Sequence, residues 1–203
     1  MTFNPNQFLN NPASLLAVRT QTAQNLTTEP VVPVPPPQYD KGMYLDAYSR
    51  LGLMSIANVA DLGCGPGNFT GVMVLKNQKP EVYLGVEQSH SQLQIAKAAY
   101  PGWKFIYGDF FNPQIRQEYE RMEAYLLLNV LDVINEDLEF LETVPTGKNV
   151  LFSMPRNPKE GSVRFCPDMF SLRERYSGLL KIRSVGRYRN EVDTYSMVVG
   201  IRW

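Results

Sequence analysis

The run Val59-Ala60-Asp61-Leu62-Gly63-Cys64-Gly65-Pro66-Gly67-Asn68 constrains this chain more than any other. An apolar stretch ends in an acid, passes through a turn with glycine at every second position, and enters a helical pattern. Glycine tolerates positive φ and lets the backbone approach a ligand closely. A helix beginning just past such a turn presents unpaired N–H groups and a positive dipole end to an anionic group. The run therefore reads as a buried strand, a ligand loop and a helix start, the layout of a nucleotide-type site at the carboxyl end of a strand.

Two more apolar runs end in acids. Glu81-Val82-Tyr83-Leu84-Gly85-Val86-Glu87 closes about two dozen residues after Gly63, where a carboxylate can accept from both hydroxyls of a ribose. Trp103-Lys104-Phe105-Ile106-Tyr107 leads into Gly108-Asp109-Phe110, which puts Asp109 in position for an exocyclic amine and Phe110 for a purine face.

These segments resemble the first three motifs of the class I S-adenosylmethionine (SAM)-dependent methyltransferases. A nicotinamide fingerprint has its third glycine three residues after the second, and here that position is Asn68. Two later segments extend the resemblance. Asn129-Val130-Leu131-Asp132-Val133-Ile134 with the acids of Asn135-Glu136-Asp137 is similar to the "asparagine-valine-leucine-glutamate-histidine-isoleucine" pattern of the small-molecule branch. Ser153-Met154-Pro155 matches that branch's "serine-x-proline" strand end. The resemblance covers roughly residues 38 to 203. It implies SAM as cofactor, S-adenosylhomocysteine as product, and an α/β, Rossmann-like, doubly wound sheet of seven mostly parallel strands. A C-terminal antiparallel hairpin and helices on both faces complete that fold. Cofactor contacts then fall to Asp61, Cys64, Asn68 and Gln88, to Gly63, Gly65 and Gly67 shaping the methionine end, and to Glu87 at the ribose. Asp109 and Phe110 take the adenine, and Asn129 faces the cofactor.

Alternation of apolar and helical patterns gives strands at 82–87, 103–107, 124–129 and 149–154, with helices to about Asn77, at 90–99, at 136–143 and at 167–177. Residues 111–121 read as helix or loop. Strand and helix alternating in this way argue for a parallel sheet covered on both faces. Segments 181–188 and 194–201, joined by a short connection, form the closing hairpin. The spacing of Tyr44, Leu45, Tyr48 and Leu51 predicts an amphipathic helix over Tyr39 to Leu53; the resemblance implies a helix at this place that closes over SAM, which makes Tyr39 and Tyr44 lid or acceptor-binding candidates.

Residues 1–37 form a separate arm: polar, with a capped helix signal at Asn11-Pro12 and a stiff Val31-Val32-Pro33-Val34-Pro35-Pro36-Pro37 linker that offers a protein contact. Residues 38–203 make the one full domain. Lys plus Arg and Asp plus Glu are 20 each, so no net field favours nucleic acid or an anionic membrane. The basic C-terminal side chains Arg173, Arg175, Lys181, Arg183, Arg187 and Arg189 read as solvated surface. Two cysteines make neither a disulfide framework nor a zinc spacing, and no apolar run approaches membrane-spanning length. The expectation is a soluble, cytoplasmic enzyme with a small-molecule partner and no metal.

Methyl transfer from a sulfonium is an in-line displacement governed by proximity and orientation; an oxygen acceptor additionally calls for a base, commonly histidine. Here the family's histidine positions hold Val133 and Ser162, and the one histidine, His90, reads as a surface or capping residue. Asn129 and Asp132 remain catalytic candidates, and Arg164 is the candidate for pairing with an anionic acceptor. Two rivals stand beside a small-molecule methyltransferase: a nicotinamide oxidoreductase of similar fold, and a non-catalytic SAM-binding module, prompted by the absent histidines and the Pro-rich arm. A nucleic-acid amino-methylase would need an Asn/Asp-Pro-Pro-aromatic turn where this chain has Asn129-Val130-Leu131-Asp132, and protein acceptors are the lesser alternative.

Overall fold

The computed structural model describes residues 41–52 and 56–203. The arm at 1–37, its helix and linker, and Tyr39 lie outside the described residues. Seven strands form one sheet in the order β3-β2-β1-β4-β5-β7-β6. They are β1 (Asn58–Leu62), β2 (Val82–Glu87), β3 (Lys104–Tyr107), β4 (Ala124–Leu127), β5 (Asn149–Pro155), β6 (Leu180–Arg189) and β7 (Thr194–Arg202). The first five are parallel, β7 runs antiparallel to β5, and β6 antiparallel to β7. The helices are α1 (Lys41–Gly52), α2 (Asn68–Leu75), α3 (His90–Ala99), α4 (Pro113–Tyr119), α5 (Asp137–Thr143) and α6 (Met169–Tyr176).

The continuous apolar runs are explained by burial on both faces of the sheet. Successive strand side chains point to opposite sides, so each run divides between two cores. Ala60, Leu62, Leu84, Tyr125, Leu127 and Phe152 meet Tyr119 of α4, Phe140 of α5 and Leu172 of α6. Val59, Tyr83, Leu126, Leu151 and Met197 meet Ala47 of α1, Phe69 of α2 and Leu93 of α3. Side-chain caps set helix starts: Asn112 before Pro113 for α4, and Asp168 with Ser171 in a reciprocal capping box for α6.

The 124–129 strand is shorter than its pattern predicts. β4 stops at Leu127 because Asn129 adopts a left-handed φ of 58° and gives its N–H to Ser153 Oγ at 2.7 Å instead of to a ladder. No helix among the described residues is long and apolar enough to cross a membrane.

Candidate functional site

β1, β2, β4 and β5 deliver their carboxyl ends to one rim of the sheet, where open α/β sheets bind ligands. The glycine turn is shaped by its own backbone. Gly63 and Cys64 donate to the Val86 carbonyl at 2.9 and 3.1 Å, which ties the turn to the end of β2. Gly63 has φ +71°, and a Cβ there would lie 2.6 Å from Val130 Cγ2, so glycine lets the β1 and β4 turns meet. Gly67 caps α2 from φ +84° and brings no side chain to its first-turn N–H groups. Glu87 braces the same loop: its Oε2 accepts from Gly65 N at 2.9 Å and its Oε1 from Ser89 N at 2.7 Å. A carboxylate oxygen has two lone pairs, so each retains capacity for a hydroxyl.

Two clefts open on this rim. The first, about 190 Å³, is walled by Phe110, Val130, Val133 and Ile134 and carries the polar groups of Glu87, Gln88 and Asn129 over Gly63. Phe110 is held edge-on by Phe140, and its carbonyl accepts from the buried Tyr119 hydroxyl. The second cleft, about 260 Å³, shares Asn129 and is lined by Met43, Tyr44, Asn68, Lys159, Asn190, Asp193 and Tyr195. Asn68 Nδ2 donates to the Tyr44 hydroxyl at 3.3 Å, while its buried Oδ1 has no hydrogen-bond partner. A larger cavity, about 450 Å³ beside Tyr48, Met73 and Gln78, lies at the amino ends of the strands, away from this chemistry.

The structure thus brings Gly63, Glu87, Gln88, Phe110 and Asn129 around one cleft, and Tyr44, Asn68 and Asn129 around the other. Other predicted residues sit elsewhere. Asp109 is exposed, and its carboxylate accepts from Phe111 N at 2.9 Å. Cys64 is buried in the turn, and burial, with the charges of Asp61 and Glu87, pushes its thiol far above the usual range. Asp61 lies beneath the loop, 3 % exposed, accepting from Tyr83 Oη at 2.7 Å; Tyr83 Oη in turn accepts from Thr70. Burial raises the Asp61 carboxyl to about 7, with the Tyr83 bond opposing and the Glu87 charge adding to the rise.

Two expectations are corrected. Arg164 does not reach toward an acceptor. Its Nη1 donates to the carbonyls of Leu131 and Ile134, and its Nη2 to that of Asn135 and to Asp137 Oδ1 at 3.0 Å. The guanidinium is consumed in fixing the β4–α5 loop. Asp132 is no base for an acceptor: it is 1 % exposed, lines neither cleft, and takes a hydrogen bond from Ser162 Oγ at 2.7 Å. Ser162 thus closes onto Asp132, while Val133 forms cleft wall. His90 is exposed at the first turn of α3, its ring against Tyr107 and Gln94.

Lys159, Asp193 and Tyr195 are the residues that sequence reasoning misses. Lys159 Nζ donates to the Tyr195 hydroxyl, which donates to Asp193 Oδ2 at 3.2 Å; Nζ and that carboxylate are 3.7 Å apart. Burial alone would lower the Lys159 ammonium, but the Tyr195 bond and the charges of Asp193 and Asp132 outweigh it and raise it. Burial raises the Tyr195 phenol. Both therefore hold their protons at neutral pH. The hairpin contained the signal: a strand returning antiparallel to β5 sets Tyr195 opposite Pro155, at the functional rim.

Comparison with known proteins fits this architecture. Residues 44–153, more than half of the chain, match the model of the FtsJ-like methyltransferases. The trans-aconitate 2-methyltransferase of Escherichia fergusonii is 31% identical over 115 residues, which are 56% of this chain and 45% of that protein. The chain thus spans a little under half the length of this curated relative. Among solved structures, the magnesium protoporphyrin IX methyltransferase of Synechocystis PCC 6803 with bound SAH superposes with a TM-score of 0.60 at 12% identity, over 80% of this chain and 84% of that one. The methyltransferase domain of bacterial CtHen1-C superposes at 0.61 and 18% identity, over 80% of this chain and 98% of its own.

Proposed function

The chain belongs to the FtsJ-like methyltransferase family, and from that premise we propose that it moves a methyl group from SAM to a small-molecule acceptor bound beside Asn129. The observation that carries this reading is the pair of clefts meeting at Asn129, one with apolar walls and a carboxylate, the other lined mostly by polar side chains. The curated relatives, trans-aconitate methyltransferases by name, add support for a small acceptor.

The residues fit the cofactor. A turn of left-handed glycines at 63, 65 and 67 leaves backbone where side chains would stand, and Gly65 faces open space. Glu87, with lone pairs left over, takes the ribose; Phe110, Val133 and Ile134 take the adenine; the glycine turn and Asn129 take the methionine part. When bound, SAM supplies a methyl on an already activated sulfonium. The protein's part is alignment and exclusion of water, worth on the order of 7–11 kcal/mol in favourable systems. Asn129 is fixed for that task, its N–H on Ser153 Oγ and its Oδ1 accepting from the same hydroxyl at 3.3 Å.

Calorimetric titration with SAM, S-adenosylhomocysteine and NAD tests the reading. Binding of the first two without the third is the expected result; NAD binding alone would move the chain to the oxidoreductases. Glu87→Ala is expected to weaken SAM binding by about 1.5–3 kcal/mol, roughly tenfold to a hundredfold, for loss of a charged hydrogen-bond partner. Undiminished affinity in a folded Glu87→Ala variant would remove Glu87 from the site.

A further inference from the structure

We propose that the free edge of β6, with the groove at its foot, binds an extended acidic segment of a partner protein, which pairs with β6 as a further strand of the sheet. This binding is independent of the methyl-transfer chemistry at the rim.

The backbone supplies the first reason. β6 ends the sheet, and β7 pairs with it along one side only. Every second residue of such a strand turns its N–H and C=O away from the ladder. At 10 residues, β6 is long for an edge, since short edge strands are one way sheets avoid pairing. Its pairing is irregular at one place, between Ile182 and Ser184, where Arg183 has no opposite number on β7. A second polypeptide strand offers N–H groups to the outward carbonyls and carbonyls to the outward N–H groups. Phosphate oxygens only accept, so a nucleic-acid backbone or a lipid headgroup leaves those carbonyls without donors.

Charge fixes the chemistry of the partner. Residues 173–189 carry six Lys or Arg against one acid, Glu174, in a chain of zero net charge. Arg175 is held by Asp137. Arg173, Lys181, Arg183, Arg187 and Arg189 are exposed, and their side chains make no ion pair or hydrogen bond with any described residue. Val185, Arg187 and Arg189 stand opposite Val198, Ser196 and Thr194 of β7. Val185 packs against the core that α6 helps to form, so the two arginines share that face, about 7 Å apart along the strand. Acids at alternate positions of an added strand meet both. A second copy of this chain pairing edge to edge would instead set like charges against each other. At the start of β6, a groove of about 400 Å³ is lined by Arg173, Ser177, Leu180, Lys181, Ile182 and Trp203. Its apolar walls and two flanking cations suit an aromatic side chain next to an acid.

Fluorescence anisotropy on the full chain tests this, with a labelled peptide that alternates Glu and Val and ends in Phe. Two forms of it are N-methylated at alternate residues, one at each of the two phases, and polyglutamate and oligouridylate of the same length serve as competitors. Saturable binding of the plain peptide is expected. One N-methylated form should bind about tenfold more weakly while the other keeps its affinity, because only every second N–H of an added strand faces β6. Arg187→Glu with Arg189→Glu should weaken binding by about tenfold or more, since reversal turns two attractive cross-strand pairs into repulsive ones. The thermal unfolding of that double variant should match the wild type, and Lys at both positions should restore the peptide. Absence of saturable binding overturns the proposal. So does equal affinity for both N-methylated forms, undiminished binding in the folded double variant, or displacement by polyglutamate or oligouridylate as effective as by the unlabelled peptide.

Discussion

Alanine at Asp137 is expected to destabilise the protein by about 3 kcal/mol, at the lower end of what breaking a buried charged pair costs. Asp137 opens α5 with no exposed surface. It accepts from Arg175 Nε at 2.9 Å and Nη2 at 2.6 Å, from the Tyr176 hydroxyl at 2.8 Å, and pairs with Arg164 at 3.0 Å. Removing the carboxylate strands a buried phenol and two guanidiniums. The guanidiniums are 32% and 15% exposed, and water recovers part of their solvation, which sets the estimate low in the range. Thermal unfolding should show a loss of roughly 6–12 °C for a domain of this size. Asp137→Asn, which keeps an acceptor for Tyr176, should lose less. The loss should reach function too, because Arg164 pins the carbonyls of Leu131, Ile134 and Asn135, and that loop supplies Val133 and Ile134 to the first cleft. A shift of a degree or two would mean that the cluster contributes little.

This cluster also shows where sequence reading runs out. The glycine turn, Glu87 and Asn129 were legible because each depends on local order: an acid or a polar residue ending an apolar run must emerge at the rim of a parallel sheet. Arg164 was not. A lone arginine in a loop gives no sign that a carboxylate 27 positions upstream, Asp137, awaits it across a turn. Asp109 illustrates a local effect that pattern matching overlooks: an aspartate in a turn bonds the N–H two residues on, here that of Phe111. Tyr83 sits in the sequence as one more residue of an apolar strand. Its role as the hydroxyl partner of Asp61 follows from the parallel β1–β2 pairing, which sets Tyr83 beside Val59, two residues before Asp61 on the neighbouring strand. Lys159 and Tyr195 meet only because the chain reverses direction in its last strand. Sequence motifs therefore yield the half of the rim around Gly63, Glu87 and Phe110, and tertiary return paths yield the half around Lys159 and Tyr195.

Asp61 gives the second large effect, and its sign is unusual for a carboxylate. Burial lifts its folded-state value to about 7, while the unfolded chain titrates near the ordinary ~3.9. Below about pH 4 both states are protonated and Asp61 contributes nothing. Between about pH 4 and 7 the folded state holds the extra proton, so stability falls as pH rises. Above pH 7 the accumulated penalty is on the order of 4 kcal/mol. Desolvation is the main cause, the Tyr83 hydroxyl offsets part of it, and the charge of Glu87 adds to it. Asp132, also raised, pushes in the same direction; Asp168, held low by its bonds to Ser171, pushes in the opposite one. Comparison with Asp61→Asn isolates the Asp61 part, because the amide oxygen can still accept from Tyr83 but carries no charge to bury. Urea denaturation from pH 4 to 8 should show wild type and variant converging at the acid end. The variant should gain by up to about 1.4 kcal/mol per pH unit above it, then level off past pH 7. Parallel curves across that range would mean that Asp61 is as easily ionised in the folded protein as in water, and that the buried Asp61–Tyr83–Thr70 chain does not shape the base of the loop.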